Sequence, residues 1–231
     1  MKNFTLDGRL SSAAKFVRQG ARFADIGTDH AYLPIFLLRS GIIDYAFASD
    51  INKGPLASAI ENAKEAGVYS KMEFALADGL DAICERGITD IAICGMGGEL
   101  ISEIVEKADF IRMPEIRLIL QPMSKFAHLR RSLAKMGYEI EDEEYSASQG
   151  KNYITLSAHF TGKTREIDDF EAEFGNERLL KSIPESKREF ITRRADALGR
   201  AADGLKKGGK DDSLESRLHA YANEILGRKD I

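Results

Sequence analysis

The chain has 231 residues, a formal net charge of −4 at neutral pH, and 43% hydrophobic against 30% charged residues. Such a composition excludes a disordered or low-complexity chain. The acidic balance excludes a protein that coats nucleic acid indiscriminately, for which a broad surplus of Lys and Arg is needed.

The length suits one ordinary domain with an appendage. The N-terminal stretch MKNFTLDGRLSSAAKFVRQG has no continuous apolar core, and no run nears the about 18 apolar residues of a membrane span, so a cytoplasmic protein is expected. Cys84 and Cys94 lack CxxC or His-spaced partners, so neither a disulfide framework nor a metal site is expected. Two local segments are basic: Lys2, Arg9, Lys15, Arg18 and Arg22 against Asp7, and residues 178–210, with Arg193, Arg194, Arg200 and Lys210 among them. Each suits either a phosphate-binding face or a solvated helix surface.

In chain order, residues 10–19 predict a helix with Leu10, Ala13, Ala14 and Val17 on one side and basic residues on the other, packed beside the first strand. Apolar runs of strand length follow at 22–27, 45–50, 72–77, 90–95 and 117–121, each succeeded by a stretch with helical spacing. Strand alternating with helix predicts a parallel sheet covered on both faces, an α/β Rossmann-like architecture. Helices are expected near Tyr32, from Pro55 to about Gly67, and over 126–136. Residues 138–140 and 153–160 predict an antiparallel hairpin at a sheet edge, separated by the polar stretch 146–152.

From Thr161 the strand-like runs stop, and TGKTREIDDFEAE predicts a polar connection. Two amphipathic helices are expected next, over 185–207 and 213–226, joined by Gly208 and Gly209 into a helical hairpin. The expected division is therefore 1–160 for the sheet domain and 161–231 for a helical one.

The chemistry concentrates at the strand ends. Ala24-Asp25-Ile26-Gly27-Thr28-Asp29-His30 is a strand closed by a glycine between acidic residues, which lets a ligand approach the backbone. The motif is not GxGxxG, so a nicotinamide dinucleotide is disfavoured. Asp50, ending the second strand beside Ile51, suits a ribose diol, and Asp78 with Gly79 suits an adenine amine or, equally, a helix cap. Gly95-Met96-Gly97-Gly98 gives close backbone access where a reacting group can be held, and Gln121-Pro122 offers an amide near the same crevice. His30 reads as a base, a substrate contact or a structural histidine. Tyr32 and Phe126 read as stacking platforms or core.

Together ADIGTDHAYLP, ASDINKGPLASAIENAKEAG, LADGL, ICGMGGELI and LILQPM resemble the bacterial TrmK family, which methylates N1 of adenine 22 in tRNA. The resemblance spans about residues 10–160. It implies a class I methyltransferase domain with a C-terminal coiled-coil-like helical domain, S-adenosylmethionine as cofactor, tRNA as partner and no metal. It places Asp25, Gly27 and Asp29 in the first cofactor loop, Asp50 at the ribose, Asp78 at the adenine, and Gly95, Met96, Gly97 and Gly98 at the methyl-transfer crevice. Thr28, Ile51 and Gly79 beside them are also expected at the cofactor. Since methylation creates a cation that a carboxylate can stabilise, Asp29 and then His30 are the catalytic candidates. Arg9, Lys15, Tyr32, Gly98, Gln121, Pro122, Arg193 and Arg194 are the expected substrate contacts, in a protein expected to work as a monomer. Met123 departs from the Asn more usual after Gln-Pro in this family. A methyltransferase for another RNA base or a small molecule would share the cofactor loops.

Overall fold

The computed structural model describes residues 5–84, 86–148, 150–209 and 212–227. Lys2 and Lys210 of the two basic segments lie outside them. The strands are β1 (Arg22–Ile26), β2 (Tyr45–Asp50), β3 (Met72–Leu76), β4 (Asp90–Gly97), β5 (Arg117–Ser124), β6 (Tyr138–Ser148) and β7 (Lys151–Phe160). They form one sheet in the order β3-β2-β1-β4-β5-β7-β6. The first five are parallel, and β7 is antiparallel to both β5 and β6.

The alternation of side chains along each strand builds a core on both faces. Phe23, Ala92 and Ile119 point to one face, where they meet α1 (Gly8–Phe16), α2 (Tyr32–Arg39) and α3 (Lys53–Glu65). Their neighbours Ala24, Ile91, Ile93, Leu118 and Leu120 point to the other face. There they pack with Ile101 and Val105 of α4 (Gly98–Glu106) and Leu129 and Leu133 of α5 (Phe126–Lys135).

Helix α1 starts at Asp7, whose carboxylate accepts from the Leu10 N–H at 2.8 Å. It packs chiefly against β6, β5 and β7 rather than beside β1 as expected. Gly8 permits this: a Cβ there would stand 2.8 Å from the Ala147 carbonyl oxygen. One helical turn on, the Ser12 and Ser146 hydroxyls meet at 3.1 Å.

The hairpin lies at the sheet edge as expected but is longer, paired from Tyr138↔Phe160 to Ser148↔Lys151. Residues 146–152, expected as its connection, are mostly strand. Polarity misled the reading, because an edge strand half in solvent tolerates charged residues. Since β7 reverses against β5, the hairpin's tip comes to the same edge of the sheet as the carboxyl ends of the parallel strands.

Beyond residue 160, two short helices, α6 (Asp169–Phe174) and α7 (Glu177–Leu180), occur where a polar connection was expected. Asp168 caps α6 by accepting from the Glu171 N–H at 2.8 Å. Helices α8 (Glu185–Lys207) and α9 (Leu214–Leu226) form the expected antiparallel pair. Phe190, Ile191, Leu198, Leu218 and Leu226 join the core shared with α4 and α5. The buried stripe of α8 runs through Lys187, Phe190, Ile191, Ala195, Leu198 and Ala202.

Candidate active site

The loop after β1 is fixed by backbone before any side chain acts. The N–H groups of Gly27 and Thr28 both donate to the Ser49 carbonyl at 2.8 Å, tying the loop to β2. Gly27 has φ +75°, and an added Cβ would lie 2.1 Å from the Met96 methyl, so only glycine fits. Buried Thr28 accepts from the Ala31 N–H at 3.1 Å, and Ala31, with φ 54°, starts α2. This turn presents Asp29, His30 and Tyr32 on the outer side of the loop. His30 Nε2 lies 3.3 Å from Asp29 Oδ2, its carbonyl accepts from Asn62 Nδ2 at 3.0 Å, and its ring lies 5.3 Å from that of Tyr32.

These residues open onto a cavity of about 560 Å³ lined by Thr5, Asp7, Arg9, Leu10, Asp25, Gly27, Thr28, Asp29, His30, Ala31, Tyr32, Leu33, Cys94, Gly95, Met123, Ser148 and Tyr153. Asp25 is 8% exposed. Burial pushes its carboxyl up to about 6, against the hydrogen bond with Thr28 and the positive charge of Arg9, while Asp50 adds to the rise. Burial likewise pushes the Cys94 thiol up, so it stays protonated and serves as wall.

The other expected cofactor residues do not line the cavity. Asp50 closes β2, is 8% exposed, and accepts from the Asn52 N–H at 2.7 Å through Oδ1. Beside it Ile51 is 63% exposed, as is 49% of Leu76 at the end of β3. Asp78 and Gly79 follow β3, Asp78 in solvent. Met96 leans over Gly27, and Gly97 is the cap of α4.

Among the expected substrate contacts, Tyr32 and Arg9 face the cavity and several others do not. Gln121 is wholly buried, and Nε2 donates to the Arg9 carbonyl at 2.8 Å and to Thr155 Oγ1 at 3.0 Å. It does not line the cavity, and its amide is bonded to Arg9 and Thr155. Pro122 is buried, paired with Met96 across the strands. Gly98 is buried too: a Cβ would stand 2.5 Å from the Lys125 carbonyl oxygen, so its smallness serves packing. Phe126 also belongs to the core, edge-on to Phe190 at 5.5 Å. Lys15 pairs with Glu144, and Arg194 pairs with Glu173. Arg193 donates to the Gly150 carbonyl at 2.9 Å and to Glu189 at 2.6 Å, so it pins the hairpin's tip to α8.

Sequence reasoning missed Ser148, Tyr153 and Met123, which wall the cavity opposite the β1 loop. The period-two pattern through 145–153 was the available signal for the first two. Among the described residues, no group of three or more His, Cys, Asp or Glu is placed to hold a metal, and no helix is long and apolar enough to cross a membrane.

Known proteins share this architecture and sequence. Residues 6–156 match the family described as methyltransferase domain. The tRNA (adenine(22)-N(1))-methyltransferase of Bacillus subtilis is 37% identical over 158 residues, 68% of this chain and 66% of that protein. A candidate tRNA (m1A22) methyltransferase of Streptococcus pneumoniae, solved with S-adenosyl-L-methionine, is 31% identical with TM-score 0.83, over 96% of this chain and 100% of that one. TrmK of M. capricolum, solved with S-adenosyl-homocysteine, is 25% identical with TM-score 0.76, over 96% of each chain. A methyltransferase domain matched over most of the chain, and relatives of this kind matched over nearly its whole length, place the chain in the bacterial tRNA (adenine-22-N1)-methyltransferase family, TrmK.

Proposed function

We propose that this chain transfers a methyl group from S-adenosylmethionine to N1 of adenine 22 in tRNA, acting as a monomer in the cytoplasm. The observation that carries the reading is the single cavity onto which a buried carboxyl, Asp25, and an exposed pair, Asp29 and His30, both open.

The residues fit the cofactor. Gly27 holds the β1 loop in a left-handed turn that no side chain allows without strain, buried Asp50 ends β2 with a carboxylate suited to a ribose diol, and exposed Ile51 and Leu76 offer apolar surface for adenine. When bound, the cofactor supplies a methyl group already activated by sulfonium, so alignment and water exclusion are what the protein must add. Tyr32, Met123 and Tyr153 wall the outer cavity and hold the incoming base. Adenine N1 lies on the pairing edge, so the base enters unpaired or flipped. Asp29, held by His30, stabilises the positive charge that methylation places on the base.

In this reading residues 1–160 carry the reaction and 161–231 form a helical domain that grips the tRNA body through its basic face, with contacts that weaken as salt rises. The test is digestion of labelled product to nucleosides after reaction with unmodified tRNA. Label in 1-methyladenosine supports the proposal. Label in another nucleoside, or none in tRNA, counts against it.

A further inference from the structure

We propose that Arg193 is a positioning residue for methyl transfer: from α8 it holds the tip of the β6–β7 hairpin, and through that tip it sets Tyr153 at the wall of the cavity. This rests on reading the cavity as the methyl-transfer site.

The hairpin outruns the sheet. Pairing of β7 with β5 stops at Leu120↔Leu156, whereas β6 and β7 stay paired as far as Ser148↔Lys151. Residues 145–148 and 151–154 therefore form a two-stranded ribbon that overhangs the carboxyl ends of the parallel strands, and such a ribbon is marginally stable alone. What packs on its two faces sets its position. Alternation puts Ser146, Ser148 and Tyr153 on the side of α1, where the Ser12 and Ser146 hydroxyls meet at 3.1 Å and Ser148 and Tyr153 wall the cavity. It puts Tyr145 and Ile154 on the other side, where the Tyr145 ring lies edge-on to Phe190 of α8 at 5.0 Å.

Arg193, three residues beyond Phe190, reaches the tip itself. Its Nη1 donates to the Gly150 carbonyl at 2.9 Å and Nη2 to Glu189 Oε1 at 2.6 Å, so an acid one turn back on the same helix aims the guanidinium at the ribbon. Asn152 adds no anchor there, since both polar atoms of its amide are buried without a hydrogen-bond partner among the described residues. Helix α8 is itself fixed: Lys187 Nζ donates to the Leu179 carbonyl at 2.7 Å, and Arg194 pairs with Glu173. An RNA phosphate suits Arg193 poorly, because Glu189 already takes its charge and would repel the anion. A shift of Gly150 is carried along β7 to Tyr153, and misplacing reacting groups by about 1 Å can cost about 100-fold in rate.

Steady-state methyl transfer to unmodified tRNA tests this in the whole protein, with S-adenosylhomocysteine titrated into each variant as a check on the cofactor pocket. Arg193→Met should lower kcat about 3- to 10-fold, with KM for tRNA and S-adenosylhomocysteine affinity within about twofold of wild type. Arg193→Lys, which can still donate to Gly150, should recover part of that loss. Glu189→Gln should also lower kcat, whereas a phosphate contact freed of its acid would bind tRNA more tightly. In a Tyr153→Ala background Arg193→Met should cause no further loss, because its effect runs through that ring. A raised KM with unchanged kcat in Arg193→Met, tighter tRNA binding in Glu189→Gln, a matching loss of S-adenosylhomocysteine affinity, or full additivity with Tyr153→Ala would overturn the proposal. No transfer to tRNA by the wild type would overturn the reading of the cavity itself, a result distinct from failure of the positioning role.

Discussion

Arg130 Nε and Glu143 Oε1 meet at 2.8 Å with their side chains 2% and 0% exposed, an ion pair buried between α5 and β6. The same guanidinium donates to the carbonyls of Ala172 and Glu173 at 2.8 and 3.0 Å, and Tyr145 donates to Glu143 Oε2 at 2.5 Å. The pair thus fastens the helical segment to the sheet. Because a buried charge without its partner is costly, Glu143→Leu should destabilise the protein by about 3–5 kcal/mol. The double variant Arg130→Met/Glu143→Leu should lose less than the sum of the single changes. Urea unfolding of all four proteins measures this coupling, and additivity would refute it.

Gly27 makes a second test. Gly27→Ala puts a methyl where the Met96 side chain sits and forces an alanine to φ +75°, a strain of about 1–2 kcal/mol. Weaker S-adenosylhomocysteine binding and a lower melting temperature should result. Adding Met96→Ala should restore only part of the loss, since it removes the clash and leaves the backbone strain. Full restoration would show that the clash alone matters.

The buried Asp25 carboxyl gives a pH signature. Its value rises from the usual 3.8 to about 6 through burial, so the folded protein holds this proton more tightly than the unfolded chain. Below about pH 4 both states are protonated and the group is neutral to stability. Between about pH 4 and 6 the unfolded chain ionises first, and the folded state is penalised by about 2–3 kcal/mol above that window. Asp25→Asn should therefore match the wild type near pH 4 and exceed it in stability above pH 6, while losing cofactor affinity. In the wild type, S-adenosylhomocysteine affinity should fall as pH drops below about 6, because the proton competes with the ligand's ammonium.

Gln121→Leu should cost about 1–3 kcal/mol, since it leaves Thr155 and the Arg9 carbonyl without their buried partner. It should also weaken S-adenosylhomocysteine, because Arg9, which lines the cavity, loses the amide that holds it. Equal stability with unchanged affinity would mean that the amide contributes nothing to the site.

The central sheet was legible because parallel strands covered on both faces are continuous apolar runs. β2 spans the expected residues, and β1 ends one residue earlier. The glycine and acid pattern at the strand ends located the β1 loop for the same local reason. What escaped the sequence depends on packing across the chain. Arg9 read as one of the basic residues of the N-terminal segment, but the packing of α1 over the hairpin makes it line the cavity. The type and place of Gln121 suggested a substrate amide, yet its bonds go to Arg9 and Thr155. Tyr153 and Ser148 reach the cavity only because a polar edge strand runs longer than its composition suggests. Arg193 and Arg194 read as phosphate contacts, while their nearest partners are the hairpin tip, Glu189 and Glu173.

The most direct measurement is transfer of labelled methyl from S-adenosylmethionine to an unmodified tRNA transcript, beside the same transcript carrying guanine in place of adenine 22. Label on the first transcript alone is the predicted result. Equal label on both would contradict the assignment of the target base.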